Sequence, residues 1–107
     1  MKKLLLATAA TALMAGAASA EEVKVGVLLG FTGPLETTVP GMAAGAELAI
    51  KEVSDSGKFM GGSTVAPVRG DTTCVDAAAA QSAAERLVTS EKVAGIVGGD
   101  SSGVTGA

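Results

Sequence analysis

Apolar and polar residues follow two different repeats along most of the chain. Residues 23–29 form a short β-rich run that ends at Gly30, with apolar residues on both faces toward its end. Such a run is typical of a buried strand in a parallel sheet. Over residues 40–53, apolar side chains recur every three or four positions, which predicts an amphipathic helix. The apolar positions of this helix are Met42, Ala46, Ala49, Ile50 and Val53.

The same alternation continues through the second half of the chain. Residues 64–70 predict a second strand, and Pro67 suits an edge position or a local break there because proline cannot donate a ladder hydrogen bond. Asp76 is the expected N-cap of an alanine-rich helix over residues 77–89. Residues 93–97 predict a third strand. The order βαβαβ indicates an α/β fold with a doubly wound parallel sheet.

Two loops are expected at the carboxyl edge of this sheet, where such folds bind ligands. Residues 30–39 follow the first strand, and residues 98–103 follow the third. The second loop combines a Gly-Gly turn with Ser101 and Ser102 at the start of a helix, so free backbone N–H groups and hydroxyl donors lie together. This combination suits a carboxylate or a phosphate. Local sequence alone favours the alternative that one serine simply caps the helix.

The first 20 residues have a pattern of their own. Two lysines precede an apolar stretch over residues 4–15, and small residues lead up to Ala20. This pattern predicts a secretory signal peptide, residues 1–20, cleaved after Ala20. A membrane anchor is the alternative, but the apolar stretch is shorter than the roughly 20 residues that span a bilayer.

Charge and composition narrow the possible functions. The chain has eight basic and eleven acidic residues, and the predicted leader contains two of the basic ones, so residues 21–107 carry a net charge of −5. This charge argues against nucleic acid or an anionic membrane as a partner. The chain contains no histidine, which is the usual general base and metal ligand.

Glycine spacing gives no support to a nucleotide-binding enzyme. Gly26, Gly30 and Gly33 do not fit the dinucleotide fingerprint, because the first of them lies inside the strand. A phosphate-binding loop pattern is also missing from the sequence. We therefore predict no catalytic residue, no metal site and no cofactor. An enzyme on a Rossmann-like domain would need all its catalytic groups beyond Ala107.

Several segments of the chain, taken in order, carry a resemblance to a known family. They are residues 23–29 with 31–35, residues 45–50, Asp71 with Cys74 and Asp76, residues 84–88 and residues 97–105. In this order they resemble the opening of the branched-chain amino-acid-binding (Leu/Ile/Val-type) receptors of ABC transporters. The resemblance covers residues 22–107. It implies the N-terminal part of lobe 1 of a type I periplasmic binding protein fold.

Members of that family are several times longer, because two lobes close over the ligand. Residues 21–107 are therefore expected to form an incomplete N-terminal lobe of a periplasmic ligand-binding domain. The resemblance implies that Ser102 grips the ligand's carboxylate or ammonium group, with smaller contributions from Ser101 and Gly103. It also places Thr37 and Thr38 near the side-chain pocket. Thr38 stands where the family commonly has an aromatic residue, so the resemblance does not identify which solute is bound.

The function implied is that of a monomeric periplasmic receptor. It would bind a branched-chain amino acid or a similar small organic acid and deliver it to an ABC permease in the inner membrane. The alternative is a sensory or regulatory binding protein on the same fold, which passes its signal to a protein partner.

Cys74 is the only cysteine of the chain. In several members of the family a cysteine at this position pairs with one in the ligand loop, and the matching position here is Ser101. A buried thiol is favoured over a partner beyond Ala107, because a free cysteine packs as a small hydrophobic residue.

Overall fold

The structure is a computed structural model that describes residues 20–107. Residues 1–19, which carry most of the predicted signal peptide, lie outside the described residues. The strands are β1 (Glu22–Leu29), β2 (Thr64–Asp71) and β3 (Gly95–Gly98). The α-helices are α1 (Val39–Asp55), α2 (Ala77–Glu85) and α3 (Ser102–Thr105). A short 3-10 helix spans Phe59–Gly61, and a π-helical turn, Arg86–Ser90, continues α2.

The three strands form a parallel sheet in the order β2-β1-β3. β1 lies in the centre, and its last four residues are buried, as predicted for a strand that is apolar on both faces. Within residues 20–107, β2 pairs only with β1, and Pro67 lies inside this strand without interrupting it.

Alternate residues of β1 point to opposite faces of the sheet, and each face carries a helix. On one face, Val27 and Leu29 pack with Val39, Ala43 and Ile50 of α1 in the main buried cluster. This stripe of α1 makes the helix amphipathic, as its periodicity predicted.

The opposite face of the sheet is covered by α2 and the π-helical turn. Gly26 in β1 and Gly70 in β2 leave room there for the fully buried side chain of Leu87. Helices on both faces of a parallel sheet confirm the predicted doubly wound α/β fold.

The apolar stripe of α1 differs in part from the predicted one. Met42, Ala49 and Val53 were expected on the buried face, but all three are exposed, Met42 and Val53 to 47% and 44%. The buried side chains of α1 are those of Val39, Ala43 and Ile50, which form a narrower stripe than the predicted one. Side chains on either side of this stripe remain in contact with solvent.

Two element boundaries also differ. The predicted second helix changes to π-helical geometry after Glu85. The third strand begins at Gly95 instead of residue 93, because the Val93 amide donates to the carbonyl of Leu87 at 3.1 Å and is held by the helical turn. All four residues of β3 are exposed. None of the helices within residues 20–107 is long and apolar enough to cross a membrane.

Candidate functional site

The candidate site lies at the carboxyl edge of the sheet, between the ends of β1 and β3. After β1, the chain forms β2 on one side of β1 and then crosses the sheet to form β3 on the other side. Such a reversal opens a crevice at the carboxyl ends of the two strands, where doubly wound folds bind ligands. The two loops meet directly, because the Gly30 amide donates to Asp100 Oδ2 at 2.6 Å.

The loop after β3, residues 98–103, is the candidate ligand loop, and it begins with a turn that only glycine suits. Gly98 and Gly99 have φ angles of 147° and 85°, which side-chain-bearing residues rarely adopt. A Cβ at Gly98 would also overlap the backbone carbonyl of Leu28. The two glycines therefore allow the loop to pass closely over the end of β1.

The two serines of this loop have different environments. Ser101 occupies the N-cap position of α3 in extended conformation, but its side chain makes no cap hydrogen bond. Its Oγ instead donates to the carbonyl of Cys74 at 2.9 Å, so the capping alternative does not describe Ser101. Ser102 is the first residue of α3 and is exposed. The first turn of a helix leaves its N–H groups without intrahelical acceptors.

Both serines line a surface depression of about 570 Å³, which is within the size range of small-molecule sites. The lining residues are Gly99, Asp100, Ser101, Ser102, Thr105 and Gly106. Gly103 is exposed within α3 and is not part of this lining.

The two threonines expected near the side-chain pocket lie in the loop after β1. Thr37 and Thr38 are exposed in the turn that leads into α1, and neither lines the depression. Thr38 occupies the N-cap position of α1 without a side-chain cap hydrogen bond. Ser101 and Ser102 thus line the depression, whereas Thr37 and Thr38 do not; the role expected of the two threonines stays a prediction.

Asp71, the last residue of β2, holds the start of the β1–α1 loop. Its carboxylate accepts hydrogen bonds from Thr32 Oγ1 at 2.7 Å, from the Thr32 amide at 3.3 Å and from the Thr73 amide at 2.9 Å. Burial alone would raise the pKa of Asp71, but these hydrogen bonds outweigh it and lower the pKa below its usual value.

Arg69 attaches the same loop to α1. Its Nε and Nη2 donate to the two carboxylate oxygens of Glu47 at 2.6 and 2.9 Å, and its guanidinium carbon lies 4.9 Å from the centre of the Phe31 ring. The hydrogen bond from Arg69 lowers the pKa of Glu47. Planar contact with both a carboxylate and an aromatic ring is the geometry that arginine favours.

The turn between β2 and α2 also lies at the carboxyl edge of the sheet. Thr73 and Cys74 both have positive φ angles, 56° and 66°, and Thr73 Oγ1 is buried without a hydrogen-bond partner within residues 20–107. The Cys74 thiol is free and half-buried. The predicted N-cap is confirmed, because Asp76 Oδ1 accepts from the amides of Ala78 and Ala79 at 2.9 and 3.1 Å.

Sequence reasoning missed the residues that tie the loops together. Asp71 and Asp100 both stand where a strand meets the carboxyl edge, and this shared position is the signal that could have revealed them. Arg69 gave no such signal, because its partners Glu47 and Phe31 are distant in sequence. The described part of the chain holds no group of three or more His, Cys, Asp or Glu residues arranged for a metal ion.

Comparison with known proteins extends this description. A family model described as periplasmic binding protein matches residues 22–107. Leu/Ile/Val-binding protein homolog 7 from Brucella melitensis biotype 1 is 43% identical over 104 residues, which cover 96% of this chain and 25% of that protein. The chain therefore spans about a quarter of the length of the curated relatives that it matches.

Two solved structures share the architecture. The branched-chain amino acid transporter substrate binding protein LivJ from Streptococcus pneumoniae, in complex with isoleucine, matches with a TM-score of 0.71 and 30% identity over 79% of this chain and 24% of that one. The leucine binding protein LivK from Thermotoga maritima matches with a TM-score of 0.54 and 28% identity over 78% and 22%.

Proposed function

This chain belongs to the periplasmic binding protein family, as its resemblance predicted, and from this premise we propose that it forms part of an extracytoplasmic solute-binding receptor of an ABC transporter. The solute is a branched-chain amino acid or a similar small carboxylate. The relatives at 43% and 30% identity are a Leu/Ile/Val-binding protein homologue and a protein in complex with isoleucine, and both descriptions support this solute class.

The geometry of the ligand loop is the observation that carries the proposal. The exposed Ser102 hydroxyl and the first amides of α3 lie together in one depression, and such donors suit a carboxylate. Asp100 lines the same depression, but its two carboxylate oxygens accept hydrogen bonds from Gly30 and Thr72 within the chain. We favour an amino acid over an organic acid because the descriptions of the relatives name Leu/Ile/Val and isoleucine.

The remaining parts of the proposal follow from the family. The receptor binds its solute without catalysis, works as a monomer and delivers the solute to a permease in the inner membrane. The periplasm is its compartment, reached through cleavage after Ala20. N-terminal sequencing of the exported protein tests the cleavage: the account predicts a first residue of Glu21, and an uncleaved Met1 in the exported protein would contradict it.

Ligand-dependent stabilisation tests the solute class. In the full-length gene product, valine, isoleucine or leucine at about 100 times its Kd should add about 2.7 kcal/mol to the unfolding free energy, seen as a higher midpoint of thermal unfolding. The 2-hydroxy analogue of valine, which lacks the ammonium group, should give a much smaller shift. The proposal fails if no branched-chain amino acid raises the midpoint, and the preference for an amino acid fails if the analogue matches valine.

A further inference from the structure

We propose that Asp100 is a positioning residue that fixes the ligand loop to the other two loops at the carboxyl edge. The inference rests on the proposed function, because it concerns how the ligand-binding serine is held. Asp100 directly precedes Ser101 and Ser102 in the chain. Any displacement of the Asp100 backbone therefore moves both serines.

The first link runs from Asp100 to the end of β1. The buried Gly30 amide donates to Oδ2 at 2.6 Å, and hydrogen bonds to an ionised acceptor are stronger than neutral ones. A Cβ on Gly30 would lie only 3.1 Å from the same oxygen and 3.0 Å from the Cβ of Cys74. The absence of a side chain at residue 30 is therefore what lets the carboxylate reach the backbone.

The second link runs from Asp100 to the end of β2. Thr72 is fully buried, and its hydroxyl donates to Asp100 Oδ1 at 3.4 Å. The same hydroxyl accepts a hydrogen bond from the Cys74 amide at 3.1 Å. Ser101 Oγ donates back to the Cys74 carbonyl at 2.9 Å. The Asp100 carboxylate thus joins the loop after β3 to the ends of β1 and β2. The bonds through Thr72, Cys74 and Ser101 form a circuit that the chain closes between Ser101 and Asp100.

Asp76 provides a matched control. Like Asp100, it accepts two hydrogen bonds, but both come from its own helix, from the amides of Ala78 and Ala79. Replacing either aspartate by alanine removes two accepted hydrogen bonds. Only the two bonds lost in Asp100→Ala join different loops.

The test measures isoleucine binding by calorimetry in the full-length gene product, at a temperature where every variant is folded. Asp100→Ala should weaken binding about tenfold or more, whereas Asp76→Ala should leave the Kd unchanged. Asp100→Asn should stay within about threefold of the unaltered protein, because its amide oxygen can still accept from Gly30 and its NH₂ group can donate to Thr72. A residue with only a general stabilising role would not give this pattern.

Amide hydrogen exchange supplies a readout that needs no ligand. In Asp100→Ala, both the Gly30 and the Cys74 amides should exchange faster, while those of Ala78 and Ala79 stay unchanged. Exchange that rises at Gly30 alone would overturn the proposed circuit, as would a Kd that is unaltered in Asp100→Ala or raised equally in Asp76→Ala. If the unaltered protein binds no branched-chain amino acid, the proposed function fails, and the exchange experiment still decides whether Asp100 couples the loops.

Discussion

The contact between Leu87 and the glycines of the sheet gives a quantitative prediction for Gly70→Ala. A Cβ at residue 70 would lie 2.9 Å from Leu28 Cδ1 and 3.1 Å from Leu87 Cδ1. These leucines are only 8% and 0% exposed, so neither methyl group can turn out to solvent. Overpacking of a buried site typically costs about 1–3 kcal/mol. The unfolded chain loses less conformational entropy on folding with alanine than with glycine, which returns about 0.5–1 kcal/mol, so the net destabilisation is centred on roughly 1 kcal/mol.

Urea unfolding followed by far-UV circular dichroism measures this loss, with Gly45→Ala as the matched control. Gly45 lies in α1, and a Cβ there would meet nothing within 4 Å. Alanine is more favourable than glycine inside a helix by about 1 kcal/mol. The same chemical change should therefore lower the unfolding midpoint at residue 70 and raise it at residue 45.

A double-mutant cycle tests whether Leu87 is the cause. Leu87→Ala alone should cost about 2–5 kcal/mol, because it empties a fully buried site. In that background the added methyl group of Gly70→Ala fills part of the cavity, and the two changes should couple by about 0.5–3 kcal/mol. A Gly70→Ala variant as stable as the unaltered protein would refute the reasoning, and so would an equal loss with and without Leu87.

Three further predictions concern the candidate site. Ser102→Ala should weaken amino-acid binding in the full-length gene product by about 1–3 kcal/mol, the cost of an unmet charged hydrogen bond, and unchanged affinity by calorimetry would remove Ser102 from the site. Folding lowers the pKa of the Asp71 carboxyl below its ordinary value of 3.8. The ionised carboxylate therefore stabilises the fold fully at pH values above 3.8, and this stabilisation is lost as the pH falls from 3.8 through the lower pKa of the folded chain. The gap in urea midpoint between the unaltered protein and Asp71→Asn should therefore shrink upon acidification below that pH, and a gap that is constant from neutral to acidic pH would contradict this. Ser101→Cys should form a disulfide with Cys74 under oxidising conditions, because Ser101 Oγ lies 2.9 Å from the backbone carbonyl of Cys74, and free thiols in the oxidised variant would show that the two side chains do not reach each other.

The fold could be predicted largely from residue pattern because its signals are local. The apolar run of β1, the three- and four-residue repeat of α1 and the N-cap at Asp76 are each set by neighbours in sequence. The ends of α2 and β3 were less predictable. The Val93 amide donates to the carbonyl of Leu87 in the π-helical turn, so β3 begins two residues later than predicted. Hydrophobic periodicity does not show where such a backbone bond ends a helix.

The candidate site was only partly predictable for a related reason. Ser101 and Ser102 lie next to a Gly-Gly turn, so their common location could be predicted from the sequence. The role of Asp100 depends on Gly30 and Thr72, which are 70 and 28 residues away in sequence. The sheet order brings these residues together, and the order β2-β1-β3 is a property of the whole fold and not of any one segment.

Calorimetric titration of the full-length gene product with isoleucine, leucine and valine tests the central claim most directly. The account predicts saturable binding with one solute per protein, weakened in the Ser102→Ala variant. No binding heat for any of the three amino acids, from a protein shown to be folded by circular dichroism, would contradict it.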